Sequence, residues 1–95
     1  MENVLQCIYD TRNSFYGKAK VLQEEKNNLI INNLYSYGTL VARRLTNVDT
    51  MKTTYECFGK YSQTTTRHQK EFFKQNGLDD KQIKELFEKG KLEVE

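Results

Sequence analysis

The chain has 95 residues, two cysteines, no proline, no tryptophan and a formal net charge of +2. This length holds one domain, residues 1–95, with a small core, and two cysteines without CxxC or Cys/His spacing exclude a disulfide framework and argue against structural zinc. The positive charge excludes a polyanionic mimic of a phosphate backbone, and no apolar run reaches membrane-spanning or signal-peptide character, so a soluble, cytoplasmic protein with reduced cysteines is expected.

The charge is unevenly placed. Residues 11–70 carry a net +6, whereas residues 1–10 and 71–95 carry −2 each. A basic middle is compatible with a nucleic-acid or acidic-protein partner, and equally with solvated lysines.

In chain order, Val4, Leu5, Ile8 and Tyr9 fall at helical spacing and predict a short amphipathic helix over residues 2–11. Phe15 to Gln23 predicts a first strand, with Phe15, Gly17, Ala19 and Val21 facing the core and Tyr16, Lys18, Lys20 and Leu22 opposite. Glu24 to Asn28 reads as a hairpin loop. Leu29 to Tyr37 predicts a second strand, Gly38 a tight turn, and Thr39 to Leu45 a third strand. A polar loop over Thr46 to Lys52 leads to a fourth strand, Thr53 to Tyr61, rich in aromatic and β-branched residues.

That strand runs into a threonine cluster. Thr66 followed by Gln69 fits a capping box, and Gly77 supplies a left-handed residue, so a helix is predicted from about Arg67 to about Asn76. Asp79 followed by Gln82 repeats the capping-box spacing. Ile83, Leu86 and Phe87 then form one apolar face, and Gly90 ends this second helix. Leu92 and Val94 could add a short strand. The fold class expected is α+β: a three- to four-stranded antiparallel β-meander with a short N-terminal helix and two C-terminal helices packed on one face.

Two surfaces could carry chemistry. Thr66, Arg67, His68 and Lys70 would place hydroxyls and cations at a helix N-terminus, an arrangement suited to anions; the plainer alternative is a cap with solvated charges. His68 is the only histidine. Nothing in the spacing selects a nucleophile for it, and it reads as a surface residue in the first helical turn. No nucleotide-loop, HExxH or calcium-loop motif is present. Aromatic and basic residues also interleave on the strands: Tyr16, Lys18 and Lys20; Tyr35 and Tyr37; Arg43 and Arg44; Lys60 and Tyr61. Exposed, they could stack bases and hold phosphates, or form a protein hot spot. Without tryptophan, many of these rings are also needed as core.

The runs SFYGKAKV (Ser14 to Val21), LYSYGTLVAR (Leu34 to Arg43) and YSQTTTRHQKEFFKQNG (Tyr61 to Gly77) resemble a small domain of unknown function that recurs in bacteriophage and mobile-element proteins. The resemblance covers about Phe15 to Gly77. It departs at the Thr46 to Lys52 loop, which is longer and more polar. It brings no catalytic residues and implies a small phage-encoded accessory protein, acting stoichiometrically on host machinery such as a CRISPR effector.

The leading expectation is therefore a non-enzymatic, cofactor-free binding protein in the host cytoplasm. It would inhibit or modulate a host protein or protein–nucleic acid complex, as an anti-CRISPR protein does. The alternative is a nucleic-acid-binding module using the basic sheet and the helix start at Thr66. A small nucleotide-using enzyme ranks behind both. An exposed sheet edge could also pair two copies as a homodimer.

Overall fold

The computed structural model describes residues 2–10, 15–59 and 62–94. Six strands and two helices follow one another as β1 (Glu2–Val4), β2 (Ala19–Lys26), β3 (Leu29–Ser36), β4 (Thr39–Asn47), β5 (Thr53–Cys57), α1 (Gln63–Gln75), α2 (Asp80–Lys89) and β6 (Lys91–Val94). The strands form one open antiparallel sheet whose spatial order is their sequence order. The fold is thus α+β, with more strands than the sequence predicts and helices only in the C-terminal half.

Local chemistry accounts for the hairpins. β2 and β3 pair over eight positions, from Ala19 opposite Ser36 to Lys26 opposite Leu29. The two-residue loop is Asn27–Asn28, and Asn27 takes φ 55°, a left-handed value that asparagine tolerates. Glu24 to Lys26 therefore belong to a strand, not a loop; they are exposed, so their charges cost nothing there. Between β3 and β4 the register slips: Leu34 lies opposite Ala42 but Tyr35 opposite Leu40. Val41 is the extra residue of a β-bulge, and Val41 and Ala42 are both fully buried although adjacent.

Helix α1 starts four residues before the sequence prediction. Its N-cap is Ser62, whose side chain accepts from the Thr65 backbone N–H. Thr66 N–H is already bonded to Ser62 O at 3.0 Å, so Thr66 is no cap. A serine, shorter and preferred over threonine at that position, wins the competition. At the other end Gly77 N–H bonds Lys74 O and Leu78 N–H bonds Phe73 O, which is the Schellman pattern with Leu78 folded back on the last turn. Helix α2 carries the Asp79–Gln82 capping box in both directions and ends at Gly90. The chain then returns as β6, antiparallel to β5, as the spacing of Leu92 and Val94 suggests.

The helices cover one face of the sheet. Phe72, Phe73, Leu78, Ile83 and Leu86 pack against Leu34, Val41, Ala42, Tyr55 and Cys57. Phe73 is the centre of the ring contacts, with Tyr55, Phe72 and Phe87 at centroid distances of 6.2, 5.7 and 6.4 Å.

The predicted N-terminal helix is replaced by β1 and an irregular segment. β1 pairs with Lys20 to Leu22 of β2, and Leu5 N–H extends the pairing to Ala19 O. Val4, Ile8 and Tyr9 are exposed, and only Leu5 of the four periodic residues is buried. The helical period marked no core face, and a segment this short gains more from an available sheet edge than from an isolated helix. The first strand likewise begins later than expected, because Phe15 to Lys18 is a turn closed by Lys18 N–H to Phe15 O. The end of the predicted fourth strand, Lys60 and Tyr61, lies outside the described residues.

Truncating Phe73 removes the ring on which both helices and β5 converge. Phe73→Ala is expected to lower stability by about 3–5 kcal/mol, read from the urea midpoint at unchanged m-value.

Candidate functional site

The site is built by two turns at one end of the sheet. Tyr16 and Gly17 take φ 54° and 72°, and Tyr37 and Gly38 take φ 52° and 82°. Both pairs are two-residue turns of the I′ kind, in which left-handed φ is required at each central position. Glycine fits there freely; asparagine or aspartate is the usual partner, and an aromatic residue is strained. Tyr37 N–H donates to Lys18 O at 2.9 Å, so the two turns are tied side by side.

The tyrosines at these strained positions are solvent-facing. Tyr16 is 79% exposed and Tyr37 58% exposed. Between the turns and the adjoining ends of β2 and β3 lies an open groove of about 590 Å³ lined by Gly17, Lys18, Lys20, Leu22, Tyr35, Tyr37 and Gly38. Lys20 and Tyr35 are direct cross-strand neighbours, and Leu22, which also lines the groove, is paired with Glu2 of β1.

Beneath the turns sits His68. The sequence places it on the surface in a first turn; the longer helix puts it in the second turn, on the buried face, with no exposed area. Its Nδ1 is 2.7 Å from Ser36 Oγ, which is 3.0 Å from Thr65 Oγ1. The imidazole meets Phe15 edge-on at 4.5 Å and stacks with Tyr37 at 5.8 Å. One ring thus touches the residue that opens the first turn and two residues of the second. Ser36 and His68 have the spacing of a nucleophile–base pair, yet both are buried and neither lines the groove. Sequence reasoning missed Ser36; its only signal is that it directly precedes the Tyr37–Gly38 turn.

The remaining predicted residues are dispersed. Arg43 pairs with Glu56 on the neighbouring strand and lies 5.4 Å from the Phe58 ring. Arg44 donates to Tyr55 Oη at 3.1 Å and covers that ring. Thr66, Arg67 and Lys70 line a separate groove along α1 with Tyr9, Asp10 and Glu71. There Arg67 pairs with Asp10 at 3.2 Å. The buried Glu71 carboxylate accepts from the Tyr9 and Asp10 N–H groups, both at 2.8 Å. This groove is the seam that fastens the N-terminal segment, and the helix start lies at Ser62 and Gln63, upstream of Thr66.

Cys57 is buried against the helices, and burial pushes its thiol from 9.0 up to about 11. The protonated thiol is a poor nucleophile at neutral pH. Among the described residues no cluster of His, Cys, Asp or Glu is arranged to hold a metal ion, and no helix is long and apolar enough to cross a membrane.

Fold and site together define a small α+β domain with a meander sheet, one helix-covered face and an aromatic–lysine groove at its turn end. The chain belongs to a family of unknown function, DUF8033, whose model matches residues 4–89. No curated protein and no solved structure matches it.

Two outcomes follow from these environments. Tyr16→Asn relieves left-handed strain at a position that favours asparagine, and it is expected to leave stability unchanged or raise it by up to about 1 kcal/mol, measured by urea denaturation. For Cys57 the folded-state value is raised, so its contribution is complete below 9.0 and is lost as pH climbs towards about 11. Between those pH values the wild-type protein should lose stability more steeply than Cys57→Ala; parallel pH profiles would show that the thiol does not titrate differently on folding.

Proposed function

We propose that this chain is a non-enzymatic binding protein that docks on a host protein–nucleic acid complex and modulates it. The observation that carries the reading is the pair of exposed tyrosines held at left-handed φ beside Lys18 and Lys20. Strain at a position where asparagine would be relaxed, combined with a solvent-facing aromatic ring, supports a contact role, with Tyr37 also stacking on His68. Tyrosine is also a residue enriched at interface hot spots.

Other features support the same view. The Ser36–His68 pair is enclosed by Phe15 and Tyr37, and the Cys57 thiol is buried and protonated. The only histidine and the more buried cysteine therefore serve the core. The sequence resemblance to phage and mobile-element domains favours a host target of the kind such elements must control, with a CRISPR effector as the leading example and the host cytoplasm as the place of action.

The test is a binding and inhibition assay with purified CRISPR effector ribonucleoproteins, comparing the wild type with a Tyr16→Asn/Tyr37→Asn double variant. Asparagine preserves the turns, so the variant should fold. A stoichiometric complex weakened by about 2 kcal/mol or more in the variant is expected. An effector bound equally well by both proteins would remove the tyrosine turns from the interface. Absence of binding to every effector tried, with no effect on their cleavage, would reject this class of target.

A further inference from the structure

We infer that the sheet face turned away from the helices packs against the same face of a second copy of this chain, giving a two-fold dimer of stacked sheets.

The strand pattern asks for a cover on that side. Leu34 faces the helices, so its alternates Leu29, Ile31 and Tyr35 on β3 face the other way. Directly opposite them on β4 stand Asn47, Leu45 and Leu40, which share that face. An antiparallel sheet with one solvated face alternates apolar with polar residues; a strand apolar on both faces is the pattern of burial on both sides. Ile31 is buried yet lies outside the core cluster beneath the helices. Asn33, its neighbour on this face, is 5% exposed and its amide donates to Glu24 Oε1 at 2.9 Å. That polar residue thus has a partner within the chain before anything covers the face.

The charges around this apolar seam suit a copy of the same face. The β2 side carries Lys20, Glu24 and Lys26, a net +1, and the β5–β6 side carries Glu56, Lys91 and Glu93, a net −1. Arg43 between them is paired with Glu56. A two-fold axis parallel to the strands, between β3 and β4, lays the β2 side of one copy over the β5–β6 side of the other. It also sets Ile31 over Leu45 and Tyr35 over Leu40 of the second copy, in the aligned geometry of sheet-on-sheet packing. A polyanion or an acidic protein would meet carboxylates on both sides of the seam.

The area is sufficient for a reversible dimer. Strands β2, β3 and β4 are eight, eight and nine residues long. At about 3.3 Å per residue and 4.8 Å between strands, the six-stranded face measures roughly 600 Å². Covering it on two copies removes about 1,200 Å², the low end for stable interfaces, so a dissociation constant on the order of 10 µM is expected. Two shallow hollows of about 590 and 530 Å³ lie on this face, one beside Leu22 and Tyr35 and one beside Leu29 and Leu45. Interdigitating side chains would fill them.

The experiment is sedimentation velocity of the full chain from about 1 to 500 µM, a range that brackets this constant. The wild type should pass from monomer to dimer. Leu45→Glu sets a carboxylate in the seam of each copy and should weaken the dimer by more than about 30-fold. Lys26→Glu and Glu93→Lys change exposed residues and set like-charged sides against each other. Each should weaken the dimer about 2- to 30-fold, because the change acts twice across a two-fold axis. An equimolar mixture of these two variants restores opposite charge on both sides and should dimerise as the wild type does. Tyr16→Asn and Lys81→Gln lie off this face and should change nothing. Thermal melting confirms that each variant is folded, and should Leu45→Glu not fold, the two exposed charge variants and their mixture decide.

A chain that stays monomeric at about 500 µM overturns the inference and leaves the face to a different protein. A dimer insensitive to both charge variants and to folded Leu45→Glu also overturns it, and assigns association to a sheet edge. A mixture of the charge variants no tighter than either alone rejects the two-fold arrangement.

Discussion

Helix α1 buries three polar side chains within four residues, and each must find a partner that a different part of the chain supplies. His68 meets Ser36 at the end of β3. Gln69 donates to Val41 O at 2.9 Å, at the β-bulge. Glu71 accepts from two backbone N–H groups of the N-terminal segment. A buried polar group without a partner costs about 1–3 kcal/mol, so these bonds fix where the helix can sit. A slide of one turn along the sheet would forfeit all three at once, whereas Phe72 and Phe73 alone would tolerate smaller shifts.

The same three contacts organise the periphery. Gln69 turns the bulge at Val41 into an anchored feature, and Val41 O also accepts the Phe58 N–H. Glu71, together with Gln75 Nε2 donating to Gln6 O at 2.6 Å, holds a segment that pairs with β2 at three positions and buries Leu5. Arg67 adds an ion pair to Asp10 of modest worth, since its side chain is 39% exposed. His68 props the two tyrosine turns from below. Core and surface are therefore joined through polar contacts, and the groove inherits the rigidity of the helix–sheet interface.

How much of this is legible in the sequence depends on where the signal is local. The Asp79–Gln82 cap, the Gly38 turn, the alternation of β2 and the return of Leu92 and Val94 all follow from short-range chemistry, and the structure contains each of them. The start of α1 was obscured by competition between two hydroxyl caps, Ser62 and Thr66, that stand four residues apart. That displacement turned a buried histidine into an apparent surface one. The N-terminal strand could not be read because its conformation is set by β2 and by Glu71, residues distant in the chain. Tyr16, Lys18, Lys20, Tyr35 and Tyr37 were visible as interleaved aromatic and basic residues. The dispersal of Arg43, Arg44, Arg67 and Lys70 was not, since it depends on cross-strand and helix partners.

That dispersal explains why the groove sits at the turn end and not on the centre of the sheet. Arg43 is neutralised by Glu56, and Arg44 is turned onto Tyr55, whose ring belongs to the core. Lys18, Lys20, Tyr35 and Tyr37 line the groove at the turn end. The backbone there is fixed by the Tyr37–Lys18 hydrogen bond and the His68 ring. The left-handed φ of Tyr16 and Tyr37 is a local cost that this hydrogen bond and ring contact help to offset.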